Sequence, residues 1–411
     1  MKSSCKMGSM LGSILEWYDF AIYGFFAPVI AQIFFPDSSS FIGMIKALSI
    51  FSVGFLGRPL GALLFGYIGD NYGRAKSLKI TPLLITFSTC CLACLPSFQT
   101  IGIAAPILLT FFRFLQGISI GGEYANNIIF LCESSSPNQT YFQGSIGACT
   151  GSIGILCASL IASIFLTFSN TDLINWAWRL PFALSLLLGI LTYFLRLNLK
   201  ETQIYQNLNH SHNLGVSKQK PLYSDYLIAI GITYLPATAF YFIFMFLPNF
   251  LSQNLQNSSS NILSESSIYL LARLSIIPII GIICDKIGGI KIARLAGILF
   301  ILASIPLWKG IVENSSYSSL CLLVLALFTT LNAGSTPGLL INFIAPQYRC
   351  TALSLTFNLS FGIFGGLAPL LGFYLASHYG NFAPIYYLVF SAIITLFASL
   401  FYKQASQKNA Q

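Results

Sequence analysis

Twelve apolar runs set the limits on this chain. They fall near residues 10–35, 41–68, 77–97, 101–131, 141–168, 176–197, 226–251, 262–284, 291–310, 317–343, 351–377 and 382–402. A hydrocarbon core about 30 Å thick takes roughly 20 residues of helix, and each run is about that long or longer. In lipid every peptide group must find its partner within the protein, so only helices and closed barrels span. Charged residues make up 8% of the chain, against about 25% in soluble domains, so a solvated surface is out of reach. The sequence therefore predicts an all-α membrane protein with twelve transmembrane helices in two pseudo-symmetric six-helix bundles. The bundles are expected at 1–197 and 226–403, joined by a cytoplasmic linker at 198–225 and followed by a short cytoplasmic tail at 404–411.

An internal repeat supports the division in two. Gly66, Asp70 and Gly73 recur as Gly281, Asp285 and Gly288, each pair offset by 215 positions. The same glycine-flanked turn thus appears at half the chain length, the mark of a duplicated unit. Carriers are commonly built from such repeats.

The formal charge is +9, and its distribution explains it without nucleic acid. With the N-terminus inside, cytoplasmic segments hold fifteen of the 21 Lys and Arg residues, among them Lys2, Arg74, Lys76, Lys79, Arg196, Lys218, Lys220, Lys403 and Lys408. The opposite side holds three, Lys46, Arg179 and Lys309, and three more (Arg58, Arg113, Arg273) lie within spans. That asymmetry orients the chain with both termini cytoplasmic and matches an anionic inner leaflet. The first apolar run already contains Glu16 and Asp19, which argues against a cleaved signal peptide. His210 and His212 read as solvated linker residues, Cys91 and Cys94 as span residues rather than a metal site, and Asn138, Asn257 and Asn314 as chance glycosylation matches.

Charges inside spans cost about 2.5–3.5 kcal/mol each on insertion scales, so those present have work to do. In the first span Glu16, Asp19 and Tyr23 fall within about 60° of one another on a helix of 3.6 residues per turn. Glu16 is near enough to the helix end to be hydrated; Asp19 lies a turn deeper. In the fourth span Arg113, Gln116, Glu123 and Asn127 share a sector of about 80° by the same geometry. One face of an apolar helix then carries a cation, an anion and two amides, which points to a cavity or a paired neighbour. Fixed ion pairs are one reading of Glu16, Asp19 and Glu123 against Arg58, Arg113 and Arg273. The other is transport chemistry: a desolvated carboxylate can hold a proton near neutral pH, and an arginine can meet an anionic substrate group. Gly144, Gly147, Gly151 and Gly154 line one face of the fifth span, and Gly362, Gly365, Gly366 and Pro369 interrupt the eleventh. Both suit close, sliding helix contact.

Several motifs in order resemble one family. They are Leu15-Glu16-Trp17-Tyr18-Asp19-Phe20, Gly57-Arg58-Pro59-Leu60-Gly61 leading to Gly66, Asp70, Gly73 and Arg74, Arg113-Phe114-Leu115-Gln116-Gly117 through Glu123-Tyr124, Trp178-Arg179-Leu180-Pro181-Phe182, and Arg196 with Glu201-Thr202. The chain resembles the major facilitator superfamily, and within it the metabolite:proton symporter family, which includes proline/betaine, α-ketoglutarate, citrate and shikimate carriers. The resemblance implies two bundles rocking about a central site and import of a small carboxylate or zwitterion together with a proton. It also implies a cytoplasmic gate at Gly66, Asp70, Gly73 and Arg74, in which the acid pairs with an arginine, and a weaker echo at Asp285 and Gly288. Asn71 stands where the family usually has arginine, Gln203 where it often has proline, and Ser134–Tyr141 lacks the usual arginine. The short tail departs from the longer, osmosensing proline/betaine carriers.

The expectation is a proton-coupled secondary transporter in a bacterial inner membrane, monomeric, surrounded by lipid and without a cofactor. Candidate coupling and substrate residues are Asp19, Glu16, Glu123, Arg58, Arg113, Gln116, Tyr23 and Asn127. Rival readings are an uncoupled facilitator or exporter, or a receptor or scaffold that no longer transports. An enzyme is not expected: the sequence has no triad-like set, metal cluster or P-loop. Trp17, Tyr18, Tyr23, Tyr124, Tyr234 and Phe240 are aromatics suited to a quaternary ammonium and equally to lipid.

Overall fold

The computed structural model describes residues 3–36, 40–213, 223–254, 259–313 and 317–402. Lys2, Lys218, Lys220, Lys403, Lys408, Asn257, Asn314, residues 214–222 of the linker and the 404–411 tail lie outside the described residues. Within them the chain is helical throughout, without strands.

The helices fall at the twelve apolar runs. In order they are Ser3–Phe25 with Ala27–Phe34, Ser40–Asn71, Arg74–Ala93, Ala104–Glu133, Thr140–Phe165, Asn170–Leu197, Tyr223–Leu251, Ser259–Ile287, Gly289–Val312, Ser318–Phe343, Pro346–Tyr379 and Pro384–Leu400. Among the described residues nine of these are singly long and apolar enough to cross a membrane, and the bent first pair makes a tenth. Arg74–Ala93 carries three basic residues, Arg74, Lys76 and Lys79, near its start, and Pro384–Leu400 is short at 17 residues. Two compact units result: Met1–Ser134 with Thr150–His210, and Ser135–Cys149 with Ser211–Gln411.

Three details differ from the reading of the sequence. The first span is broken and bends by 64° at Phe26, because Pro28 cannot donate to Gly24 and its ring crowds that carbonyl. The second span continues through Asp70 to Asn71, so the break sits at Tyr72 and Gly73. The start of the linker is not loop but a helix, Gln203–Asn213.

Prolines also account for three π-helical turns, Leu173–Ala177, Phe242–Phe246 and Ser360–Gly365. Pro181, Pro248 and Pro369 follow them, and the residue four before each proline (Ala177, Phe244, Gly365) lies within the turn. Widening the helix there relieves the clash between ring and carbonyl.

Glycine sets the closest packing in the first unit. A Cβ on Gly61 would overlap the carbonyl of Ile118, one on Gly117 that of Gly54, and one on Gly121 that of Arg58. The second and fourth spans therefore meet backbone to backbone along two small-xxx-small rows, which draws Arg58 and Arg113 into one interior. Gly151 and Gly154 likewise seat Trp17. The second unit has an aromatic core in which Phe242, Phe246 and Phe250 gather around Trp308.

Candidate functional site

The polar residues of the first unit resolve into three clusters. The first centres on Asp19, which is 1% exposed. Thr89 Oγ1, from the third span, donates to Asp19 Oδ2 at 2.6 Å, and Ser185 Oγ, from the sixth, donates to Oδ1. Gln116 Nε2 donates to Thr89 Oγ1 at 2.6 Å, and Arg113 Nη1 donates to Gln116 Oε1 at 2.6 Å. A continuous chain thus joins the fourth-span arginine to the first-span aspartate.

Arg113 is also 1% exposed. Its guanidinium lies 3.9 Å from the centroid of the Tyr23 ring, and Tyr23 is itself tied by its hydroxyl to the Ala47 carbonyl at 3.1 Å. Arg113 forms no ion pair among the described residues, and its Nε and Nη2 have no hydrogen-bond partner there. Those two nitrogens share one edge of the guanidinium, the fork that takes a carboxylate in bidentate fashion. Arg58 is similar: buried, with Nε unpartnered, 4.5 Å from the Phe20 centroid and 4.6 Å from that of Phe55. Phe20 also lies 5.8 Å from Arg113, so one ring serves both cations.

Glu123 belongs to a second cluster with a different character. It makes a bidentate pair with Arg196, one arm of which is Nη1 to Oε2 at 2.9 Å. Thr81 also donates to it. Arg196 then spends its remaining donors on the Gly8 and Ser9 carbonyls, both at 2.8 Å, and on Leu78. This pair is closed, and its cation is not one of the three counted inside spans. The sequence reading counted Arg196 with the cytoplasmic segments and not with the charges inside spans; its side chain is fully buried. Glu16 is buried as well, not hydrated, and its Oε2 has no partner among the described residues. Asn127 Oδ1 accepts from Ser9 at 2.6 Å, leaving Nδ2 without a partner there.

The third cluster surrounds the turn after the second span. Gly73 has φ +116°, and a side chain there would also strike Glu201. The Glu201 carboxylate accepts from the Arg74 N–H at 3.0 Å and the Ala75 N–H at 3.0 Å, capping the third span. Burial pushes the Glu201 carboxyl above its ordinary value of 4.5, against the opposing pull of those N–H groups and of Arg74. Arg74 reaches Glu133 at 3.1 Å, the Gly69 carbonyl at 2.9 Å and Asp70 only at 3.8 Å. Of the two acids Glu133 is therefore the tighter partner, and Thr202 fixes it with a hydrogen bond of 2.9 Å.

The repeated turn in the second unit works by the same physics. Gly288 has φ +93°, and both Asp285 oxygens accept backbone N–H groups, from Tyr141 at 2.9 Å and Phe142 at 2.9 Å. An anion at a helix start meets unpaired donors and a favourable dipole.

The structure thus brings Asp19, Arg113, Gln116 and Tyr23 together, with Arg58 across Phe20. It places Glu123 in a separate, closed pair. Thr89, Ser185, Thr81 and Glu133 went unread in the sequence. A hydroxyl in an apolar helix can bond its own backbone, so nothing in its spacing distinguishes a functional one.

The pattern of the sugar (and other) transporter family matches residues 5–215. The proline/betaine transporter of Escherichia coli K12 is 32% identical over 418 residues, covering 97% of this chain and 83% of that protein. The α-ketoglutarate permease of the same organism is 30% identical over 403 residues, covering 96% and 92%. Among solved structures, the proton:xylose symporter XylE superposes with a TM-score of 0.77 at 16% identity, covering 97% of this chain and 94% of that one, which shows the shared fold. The protein has the major facilitator fold; it is an integral membrane transporter, not an enzyme, and it belongs to the sugar (and other) transporter family.

Proposed function

We propose that this transporter imports a small carboxylate or zwitterion together with a proton, by alternating access. The observation that carries the proposal is the chain from Arg113 through Gln116 and Thr89 to Asp19. One end is a buried cation whose carboxylate fork is unfilled among the described residues; the other is a buried carboxylate held by two hydroxyls. A proton at one end and an anion at the other are linked through the bonds between them. Relatives named for proline/betaine and for α-ketoglutarate share a carboxylate among their substrates' groups, which agrees with an arginine receptor. Glu123, fully paired to Arg196, acts in this reading as a fixed structural ion. The protein works as a monomer in a bacterial inner membrane, with both termini cytoplasmic, and the turns at Asp70 and Asp285 form its cytoplasmic gate.

The test is uptake of labelled proline, glycine betaine, α-ketoglutarate, citrate and shikimate into proteoliposomes, with an inward proton gradient and then with protonophore. Accumulation of one of these above the outside concentration, lost with protonophore, is the expected result. Equilibration to the same level under both conditions would favour an uncoupled facilitator.

A further inference from the structure

We propose that Ser185, Thr89 and Gln116 are positioning residues that decide which oxygen of Asp19 takes the proton; the proposal rests on the reading of Asp19 as the proton site. The argument begins at Arg113, because a guanidinium can only donate. Its Nη1 donates to Gln116 Oε1, so the other atom of that amide is the NH₂ group, again a donor only. Thr89 Oγ1 must then accept from Gln116. The single hydroxyl proton of Thr89 is left for Asp19 Oδ2. Three hydrogen bonds therefore point the same way, and the arginine fixes their direction.

The other oxygen of Asp19 is bound differently. Ser185 Oγ donates to Oδ1 and makes no other hydrogen bond among the described residues. A proton that arrives on Oδ2 faces a hydroxyl already committed as donor. A proton that arrives on Oδ1 needs only a rotation of Ser185, which turns from donor to acceptor. The structure assigns the proton to Oδ1 and makes Ser185, on the sixth span, the group that reverses as Asp19 is charged and discharged.

Among the described residues, charged and titratable groups surround this centre from several spans. Arg113 comes from the fourth span, Arg58 from the second across Phe20, and Tyr18, Tyr23 and Glu16, which faces Arg58, from the same helix as Asp19. The fifth span brings Cys157 beside Tyr18. The third and sixth spans bring the hydroxyls of Thr89 and Ser185.

The test needs no substrate: the protein is reconstituted in lipid and its carboxylic-acid absorption is followed by infrared difference spectroscopy as pH is varied. The band lost in Asp19→Asn belongs to Asp19. Ser185→Ala removes one of two donors to the carboxylate, and hydrogen bonds to charged groups are strong enough to move the midpoint of that band upward by about one pH unit. Its acid proton also loses its acceptor, so the band moves to higher wavenumber. Ser185→Thr restores both. Gln116→Leu releases Thr89 from its fixed direction and raises the midpoint without the wavenumber change of Ser185→Ala. If Ser185→Ala leaves midpoint and band position as in wild type, the assignment to Oδ1 is overturned while Asp19 stands as the proton site. If Asp19→Asn removes no band, the proton-site reading itself falls.

Discussion

At the scale of single residues, the two embedded pairs of opposite charge have different fates. Glu123 and Arg196 are closed: every arm of the guanidinium has an acceptor, and Thr81 adds to the carboxylate. Removing one member of a buried pair leaves an uncompensated charge and costs about 3–5 kcal/mol, while replacing both by apolar groups is often close to neutral. Arg196→Met should therefore lower the thermal unfolding midpoint strongly in detergent micelles, and Arg196→Met with Glu123→Leu should recover more than half of the loss. A double variant as unstable as the single one would show that the carbonyl contacts to Gly8, Ser9 and Leu78, rather than the pair, hold the helices. Asp19 and Arg113 are open by comparison, joined through two neutral side chains. The faces were legible in the sequence, because a helical period puts Arg113, Gln116 and Glu123 in one sector. The partners were not. Periodicity says which side of a helix is polar, yet Glu123 and Arg196 are 73 positions apart, and Arg196 looked like one more cytoplasmic charge.

At the scale of elements, the third span owes its start to a segment far along the chain. Gly73 turns the backbone into the left-handed region, and Glu201 then caps the helix that follows. The repeated turn itself was readable from Gly66, Asp70 and Gly73; its capping by Glu201 was not, since Arg74 and Glu201 are 127 positions apart. The cap has a pH signature. Burial raises the Glu201 carboxyl above its ordinary 4.5, so between that value and the raised one the folded protein holds a proton that the unfolded chain has released. By linkage the contribution of this group to stability is full below 4.5 and is lost as pH rises through the raised value. Glu201→Gln keeps an acceptor for the N–H groups and removes the titration. Thermal midpoints followed upward from pH 4 should show the variant gaining on wild type as pH rises. Parallel curves for the two proteins would mean that Glu201 titrates as an ordinary glutamate. The π turns were not legible: each lies one turn before a proline, Pro181, Pro248 or Pro369, yet Pro59, Pro82, Pro236, Pro278, Pro306 and Pro337 sit inside α-helices without one.

At the scale of the whole molecule, hydropathy was enough to locate the spans, because lipid leaves the backbone no alternative to helix. What hydropathy cannot read is the coupling of two ligands, which is a thermodynamic property of a site and not of a span. If Asp19 carries the proton, its removal should separate the two halves of transport. A carrier that must load a proton before it returns is driven by the gradient; one with Asn at that position can still bind substrate at Arg113 and cross, but gains nothing from the gradient. Asp19→Asn should therefore exchange labelled for unlabelled substrate across a proteoliposome membrane at a rate near that of wild type. Its accumulation should fall from about tenfold per unit of pH difference, the limit for one proton per substrate, to none. Arg113→Gln should do the reverse of this separation and weaken both, since the anion loses its receptor before any proton can be coupled to it. Exchange lost in Asp19→Asn along with accumulation would place Asp19 in substrate binding. Accumulation retained would move the proton to Glu16, the other embedded carboxylate of the first span without a closed ion pair.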